Sequence, residues 1–516
     1  MKSDLSSEQL FIAEVDSFDL AALDLEQVLL AMHNWRARCE SALEATTLCW
    51  PGLTADHPLA LRAAKLNQAV AADIVGWAQE WRRLAPTQAL AKSLDGQVVL
   101  LVFGKFNAGK SSFCNMLADR FATSGKTVEY FHLDAGRIVD TPESFEEGVT
   151  ETTSRVQGVR LGGKLVLVDT PGLHSVTPDN AALTQLFTDS ADAVLWLTSS
   201  TSPGQVQELD ELARELRRNK PLLPVLTRSD VFEEDEVDGE IAKVLRAKTP
   251  ANRALQEGDV SARAEQKLTT MGIAASLLRP PVSISSLLAR QRGQSAATLA
   301  EAGVEQLYAA LLAIVQPTLA YQRRKQAEIM LHYLEETVLG LLRSDVMPQI
   351  GRLRSSATAL LEGLPQRREE LAGALWRVVV PQLPALMDDY AVRRDVKALS
   401  ASLSAAVRGA YTAEARAHWQ AYQLLEPSAC ADSGLGIDTL AQGAAEDGAD
   451  FDYQGWYGAL TMAVRSQAMT LADSTVAQVR ASVGNLDRLA ERLEAGINIY
   501  GTELLALKNT LRAQFS

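Results

Sequence analysis

Hydrophobic positions along the chain change their rhythm twice. Over residues 1–95 they recur in steps of three and four, through Leu20, Leu23, Val28 and Leu29 and again through Leu66, Val70, Ile74, Trp77 and Trp81, with a break at Trp50-Pro51-Gly52. That period predicts amphipathic helices. Residues 96–302 instead alternate short apolar runs with helical stretches. The runs are Val98–Phe103, Leu165–Val168, Ala193–Leu197, Leu222–Leu226 and Val282–Ile284. Such unbroken runs predict strands buried on both faces, and hence an α/β unit with a mostly parallel sheet and helices on both sides.

From residue 303 the helical period returns. Met330, Leu334, Val338, Leu341 and Leu342 form one stripe, continuing past Pro348 through Ile350, Leu353, Leu360 and Leu364. Pro348 has no amide hydrogen and is expected to kink that helix. Leu486, Leu489, Leu493, Ile497, Tyr500, Leu504, Leu507 and Leu511 make a heptad-like seam, read as the core of an antiparallel bundle rather than an intermolecular coiled coil. Residues 426–455 break the pattern: they are rich in Gly, Ala and acids, and no Lys or Arg occurs from Ala417 through Val464. A loop or tip is expected there, ending on Phe451, Tyr453, Trp456 and Tyr457. Three segments result: 1–95 helical, 96–302 α/β, and 303–516 an elongated helical trunk.

Composition narrows the classes. With 516 residues, 47% hydrophobic and 22% charged, the chain has the makings of a large core, so extended disorder is excluded. A formal net charge of −14 argues against a general nucleic-acid binder, and no DNA partner is expected. Four cysteines without a C-x-x-C pair suggest neither zinc nor a disulfide framework and fit a reducing cytosol. The N-terminal stretch lacks an apolar signal core, and no apolar run approaches the ~18 residues of a membrane span. The expected location is cytoplasmic, with any membrane contact peripheral and on the inner face.

The candidate chemistry starts at GKFNAGKSS, residues 104–112, between an apolar run and a helical stretch. Gly104 and Gly109 let backbone amides approach phosphate oxygens, Lys110 brings charge to the β- and γ-phosphates, and Ser111 offers a hydroxyl to Mg²⁺. The start of the helix adds its positive dipole end. Asn107, Ala108 and Ser112 complete the residues expected to line the nucleotide. Asp169-Thr170-Pro171-Gly172 follows the next apolar run, placing Asp169 in the Mg²⁺ shell and the Gly172 amide at the γ-phosphate. Thr227-Arg228-Ser229-Asp230 closes a further run. Its carboxylate matches the paired donors of guanine, which adenine lacks, so GTP and GDP are the expected ligands. Ser283-Ile284-Ser285 is expected to lend an amide to the guanine oxygen. A switch threonine completing the Mg²⁺ site is expected in GVTETTSRV; Thr153 suits it best, with Thr152 and Thr150 as alternatives.

In this order GKFNAGKSS, TETTSR, DTPGL and TRSD resemble the GTPase domain of the dynamin superfamily, bacterial dynamin-like proteins especially, with a further likeness to LeoA-type bacterial dynamins. The motifs cover residues 97–290; the flanks match in architecture alone. The resemblance implies GTP hydrolysis with Mg²⁺ and a nucleotide-dependent homodimer. It also implies flanking helices bundled beside the GTPase domain, and a trunk whose tip touches lipid or a protein partner. Phe106 stands where dynamins commonly carry a catalytic Gln, Arg228 replaces the usual Lys, and Leu173 after DTPG removes a Gln of the Ras kind. His174 beside it is read as an ordinary switch residue. Asn107 matches the position at which potassium-activated GTPases coordinate a monovalent cation, so its role is either to hold K⁺ or to brace the loop. Lys110, Thr153 and Gly172 are the other expected catalytic residues. The competing expectation is a regulatory or assembly GTPase, serving RNA, a ribosome, or a defence or secretion system, without membrane remodelling.

Overall fold

The computed structural model describes residues 5–20, 25–83, 94, 96–105, 107–134, 137–147, 156–169, 188–201, 206–237, 240–291, 295–393, 395–425 and 452–514. The chain divides into two compact units. The first comprises residues 1–34, 79–334 and 504–516, and the second 35–78 and 335–503. The sequential division at 95 and 302 is a different partition: the units gather segments that are far apart in the chain.

Among the described residues, ten strands lie in the first unit: β1 (Val98–Phe103), β2 (Val128–Asp134), β3 (Arg137–Thr141), β4 (Gln157–Leu161), β5 (Leu165–Asp169), β6 (Ala193–Ser199), β7 (Leu222–Thr227), β8 (Asp230–Val237), β9 (Glu240–Ala247) and β10 (Val282–Ser283). Eight form one sheet in the order β10-β7-β6-β1-β5-β4-β2-β3. The five from β10 to β5 are parallel, and β4, β2 and β3 extend the sheet antiparallel. Among the described residues β8 and β9 pair only with each other, as a hairpin in register Asp230↔Ala247. All five apolar runs are strands. The hairpin, β2 and β3 carry mixed polar patterns that the apolar runs do not reveal.

The longer helices are α1 (Ser7–Val15), α2 (Glu26–Ala45), α3 (Pro58–Arg83), α4 (Lys110–Thr123), α5 (Pro250–Thr270), α6 (Val304–His332), α7 (Met347–Val379), α8 (Leu383–Arg393), α9 (Val396–His418) and α10 (Tyr453–Gln514). The strands explain their own hydrophobicity, because alternate side chains feed two different cores. Val98, Leu100 and Val102 join Leu165, Leu167, Leu195 and Leu197 in a core closed by Phe11 and Ile12 of α1, Phe113 and Phe121 of α4, and Leu307 and Leu311 of α6. Val99, Leu101 and Phe103 join Val166, Val168 and Trp196 in a second core closed by Val260, Ala264 and Leu268 of α5. A strand with helices on both faces has no polar side, so no alternation is left to see. α1 is further held by Glu8, whose carboxylate accepts from Arg120 at 2.5 and 3.0 Å.

A buried ionic network lies at the opposite ends of the strands from the loops following β1 and β5. Arg218 meets Asp189 at 2.6 Å and Glu215 at 3.6 Å, and Lys220, fully buried, pairs with Glu215 and donates to the Thr188 carbonyl at 2.5 Å. Asp192 receives the Val99 amide at 2.8 Å and Lys325 of α6 at 2.8 Å. On the same helix Glu328 accepts from Arg324 at 3.1 Å and from Arg512, near the end of α10, at 3.0 Å.

The second unit is helical. Val483, Leu486, Ala490, Leu493 and Ile497 of α10 are buried, at the three- and four-residue steps of the seam, whereas Leu489 is half-buried. Arg354 of α7 reaches Asp487 and Glu494, and Arg368 reaches Asp473, so α7 and α10 run antiparallel. This is the expected bundle core. Pro348 sits in the first turn of α7, directly after a stretch that is itself helical, so the chain runs through it without leaving the helical conformation. The turn before it, Leu342–Val346, is π-helical, with the Met347 amide donating to the Leu342 carbonyl five residues back. Trp456 is buried with its ring 4.7 Å from that of Tyr390 and packs the helices, whereas Tyr453, whose hydroxyl donates to Asp388, and Tyr457 are exposed. Leu375 and Val379 of the apolar run 375–381 are likewise core. Phe451 and residues 426–451 lie outside the described residues. Among the described residues no helix is long and apolar enough to cross a membrane.

Candidate functional site: a phosphate loop and a base loop on one sheet edge

β1 lies between β5 and β6 at the centre of the sheet, and the loops after β1, β5 and β7 all leave from the carboxyl ends of parallel strands. This is where open α/β sheets bind ligands. Gly104 begins the first loop. A Cβ on it would lie 2.2 Å from the Leu197 carbonyl oxygen of β6, so only glycine lets the loop pass this close. Asn107 and Gly109 both have left-handed backbones, φ 62° and 82°, a conformation that Asn tolerates better than other side chains. Gly109 is the N-cap of α4 and offers no side chain to satisfy its first amides, which leaves them for an anion.

Lys110 is buried, and its Nζ donates back to the carbonyls of Gly104 at 3.0 Å and Lys105 at 3.1 Å. Burial lowers its pKa, with Asp169 pulling the other way. The ammonium therefore sits inside the loop it would neutralise phosphate from. Ala108 is buried beneath it, and its carbonyl accepts from the Thr227 hydroxyl at 2.7 Å, joining the phosphate loop to the loop after β7.

Asp169, fully buried at the end of β5, accepts on Oδ2 from Ser111 Oγ at 2.7 Å and from Gln157 Nε2 at 3.1 Å. Its Oδ1 is buried with no hydrogen-bond partner among the described residues. Burial raises the carboxyl pKa, against the pull of Lys110 and the two hydrogen bonds. An orphaned buried carboxylate oxygen beside a serine hydroxyl is costly unless a cation or its water shell takes it up. These residues fit Mg²⁺, a hard cation that takes oxygen ligands and retains waters.

Ser112 follows Ser111 in the first turn of α4. It hydrogen-bonds Glu147, which also receives Asn115 Nδ2 at 2.7 Å and Arg290. Burial, which would raise the Glu147 pKa, is outweighed by these bonds. Asn115 also brackets the Phe145 backbone, donating to its carbonyl at 2.9 Å and accepting from its amide at 3.2 Å. Thr150, Thr152, Thr153, Gly172, Leu173, His174 and Phe106 lie outside the described residues.

At the base loop Arg228 is exposed and left-handed, φ 55°, and Asp230 follows as the first residue of β8. The Ser285 hydroxyl donates to Asp230 Oδ2, orienting the carboxylate assigned to guanine. The amide expected to reach the guanine oxygen is placed differently. The Ile284 amide donates to Leu226 at 2.8 Å and the Ser285 amide to Ala302 at 2.9 Å, so both are committed to the backbone. The Ser285 hydroxyl is thus spent on Asp230, while Ser283 Oγ is buried with no hydrogen-bond partner among the described residues. The sequence reading missed Gln157, Asn115, Glu147 and Ser200. Only Gln157 carried a signal, standing in the β-like run after the switch threonines.

Residues 99–228 match the family model of 50S ribosome-binding GTPases. Over 494 residues, 94% of this chain and 95% of the other, the sequence is 41% identical to an uncharacterised protein of Acinetobacter baylyi. The tRNA modification GTPase MnmE of Granulibacter bethesdensis is 29% identical over 152 residues, 29% of this chain and 30% of that protein. Among solved structures, the LeoA bacterial dynamin GTPase from ETEC is similar over 98% of this chain and 97% of its own, with 12% identity and a TM-score of 0.28. The chain is a GTPase and belongs to the same family as the Acinetobacter baylyi protein.

Proposed function

We propose that the chain is a dynamin-like GTPase that couples GTP hydrolysis to pairing of its nucleotide-binding units and to movement of its helical unit against a membrane or a protein partner. One observation carries the nucleotide part. The phosphate loop, Asp169 and the Thr227–Asp230 loop leave the carboxyl ends of parallel strands of one sheet, and the Thr227–Ala108 hydrogen bond joins the first to the last. The order of elements, helices before the α/β part and helices after it, supports the dynamin-like part.

Lys110 and the amides at the start of α4 bind the triphosphate. Ser111 and Asp169 would hold Mg²⁺, completed by a switch threonine, Thr153 by sequence, with the Gly172 amide as the γ-phosphate contact. Bound there, the cation neutralises charge on the phosphoryl oxygens. Asp230 reads guanine. Asn107 stands where a monovalent cation would supply the positive charge that an arginine finger supplies elsewhere. A regulatory GTPase acting on RNA is the second reading, favoured by the match to the ribosome-binding GTPase model and the likeness to a tRNA modification GTPase.

Light scattering after size exclusion, with GDP and with GDP–aluminium fluoride, each in potassium and in sodium, tests the first reading. Dimers are expected only with the transition-state analogue in potassium, and Asn107→Ala should lower turnover more than GTP affinity. A monomer in every state sinks the pairing mechanism, and equal turnover in both ions sinks the cation. Co-sedimentation with liposomes against co-purification of RNA separates the two readings.

A further inference from the structure

The loop that carries Asp230 is held by a set of polar contacts centred on Ser200, the residue immediately after β6. Ser200 donates its amide to the Thr227 carbonyl at 2.9 Å and its hydroxyl to the Arg228 carbonyl. The next carbonyl, of Ser229, accepts from the Lys248 amide at 3.1 Å and from Arg253 at 3.2 Å. All three carbonyls before Asp230 are thus taken, and two of them by one serine. Ser200 is itself buried and held from the other side. Lys248 Nζ donates to its hydroxyl at 2.9 Å and to its carbonyl at 3.3 Å, and Gln256 Nε2 donates to that carbonyl at 3.2 Å.

Arg228 explains why such a clamp is needed. Its φ of 55° is left-handed, a conformation that side chains other than glycine, asparagine and aspartate adopt only when the surroundings hold them there. Without a bond to its carbonyl the peptide after Arg228 is free to relax to an extended conformation. That would turn Asp230, two residues on, away from the Ser285 hydroxyl that orients it. Lys248 brings a second constraint. It follows Ala247, the β9 residue paired with Asp230, so the hairpin enters and leaves beside the clamp. Residues Asp230 and Lys248 are the two ends of one inserted element, one reading the base and the other holding Ser200.

We propose that Ser200, with Lys248 and Gln256, is a positioning device that sets guanine selectivity by fixing Arg228 in its left-handed conformation and so aiming the Asp230 carboxylate. This rests on the reading of Asp230 as the guanine contact. A carboxylate aimed correctly takes both the ring N–H and the exocyclic amine of guanine, and one aimed poorly loses the pair while still tolerating hypoxanthine, which lacks the amine. The clamp therefore acts on the ratio between the two bases more than on the phosphates.

The test is competition of GDP, IDP and ADP against a fluorescent GDP analogue on the full chain. Ser200→Ala and Lys248→Met are each expected to weaken GDP about tenfold and to leave IDP much less changed, narrowing the GDP/IDP ratio. Ser200→Thr, which keeps the hydroxyl, should restore the ratio. Lys248 is only half-buried, so its variant remains informative if Ser200→Ala does not fold. A wild-type chain that prefers GDP over ADP, with GDP/IDP ratios unchanged in both variants, overturns the clamp alone. A wild-type chain indifferent between GDP and ADP overturns the guanine reading and the clamp with it.

Discussion

Asp169 and Asp192 are both fully buried carboxylates, 23 residues apart in the sequence, at opposite ends of the sheet's central strands. Burial raises the pKa of each. They differ in what answers their charge. Asp192 has a cation of its own, Lys325 at 2.8 Å, and the Val99 amide fixes its other oxygen. Asp169 has two neutral donors on one oxygen and none among the described residues on the other. Burial alone therefore does not identify a functional acid. Asp192 is built with its counter-charge; on the proposed function, Asp169 leaves room for a charge that comes and goes.

The largest effect expected from breaking this contrast is at the structural end. Asp192→Ala leaves Lys325 buried without its partner, and loss of one member of a buried pair costs ~3–5 kcal/mol. Denaturant unfolding should show that loss, with nucleotide affinity preserved in whatever fraction remains folded. The double change Asp192→Asn with Lys325→Met should recover most of it, since no uncompensated charge is left. Single and double variants of equal stability would mean that the pair is not what holds α6 to the sheet.

Asp169→Asn should behave in the opposite way. The substitution removes a carboxylate that burial disfavours and keeps the shape, so nucleotide-free stability should hold or rise slightly. Turnover should fall by about 10²-fold or more, the size of losing one preorganised electrostatic contact to a transferring phosphoryl group. Calorimetry and GTPase assays on one preparation decide it. Stability lost in step with activity would place Asp169 among the scaffold residues with Asp192.

The same contrast explains what the sequence showed. The loops after β1 and β7 were legible as strand-end loops because they carry glycines, a lysine and an aspartate at fixed spacing directly after apolar runs, and spacing is what a sequence displays. The ionic network was not legible. Glu215, Arg218, Lys220 and Lys325 lie in segments that read as ordinary helix and loop surface, and only the fold closes them off from water. The hairpin escaped for a related reason: DVFEEDEV carries five acids, and such a strand looks like a solvated connection until β9 pairs with it. Ser285 was placed near the base by position; the commitment of its amide to Ala302 is a tertiary fact that spacing does not display.

The smallest effect, and the sharpest, is in pH. Without ligand the folded chain holds the Asp169 proton above the ordinary carboxylate value of 3.8, where the unfolded chain has already released it. The sign follows: over the window from 3.8 up to the raised folded value, Asp169 makes stability fall as pH rises. Mg²⁺ and nucleotide need the ionised carboxylate, so binding should release this proton and tighten as pH rises through the folded value, by at most about tenfold per unit. Asp192 has the same direction of shift, but its cation is permanent and nucleotide leaves it unchanged. Isothermal titration of Mg²⁺–GDP from the lowest pH at which the chain stays folded should therefore give a slope in the wild type that is reduced in Asp169→Asn. Titration of the nucleotide's own phosphates is common to both proteins and cancels in the difference. Equal slopes would show that Asp169 is already ionised before the cation arrives. In that case the orphaned oxygen is answered by something other than Mg²⁺, and the contrast with Asp192 would no longer mark the metal site.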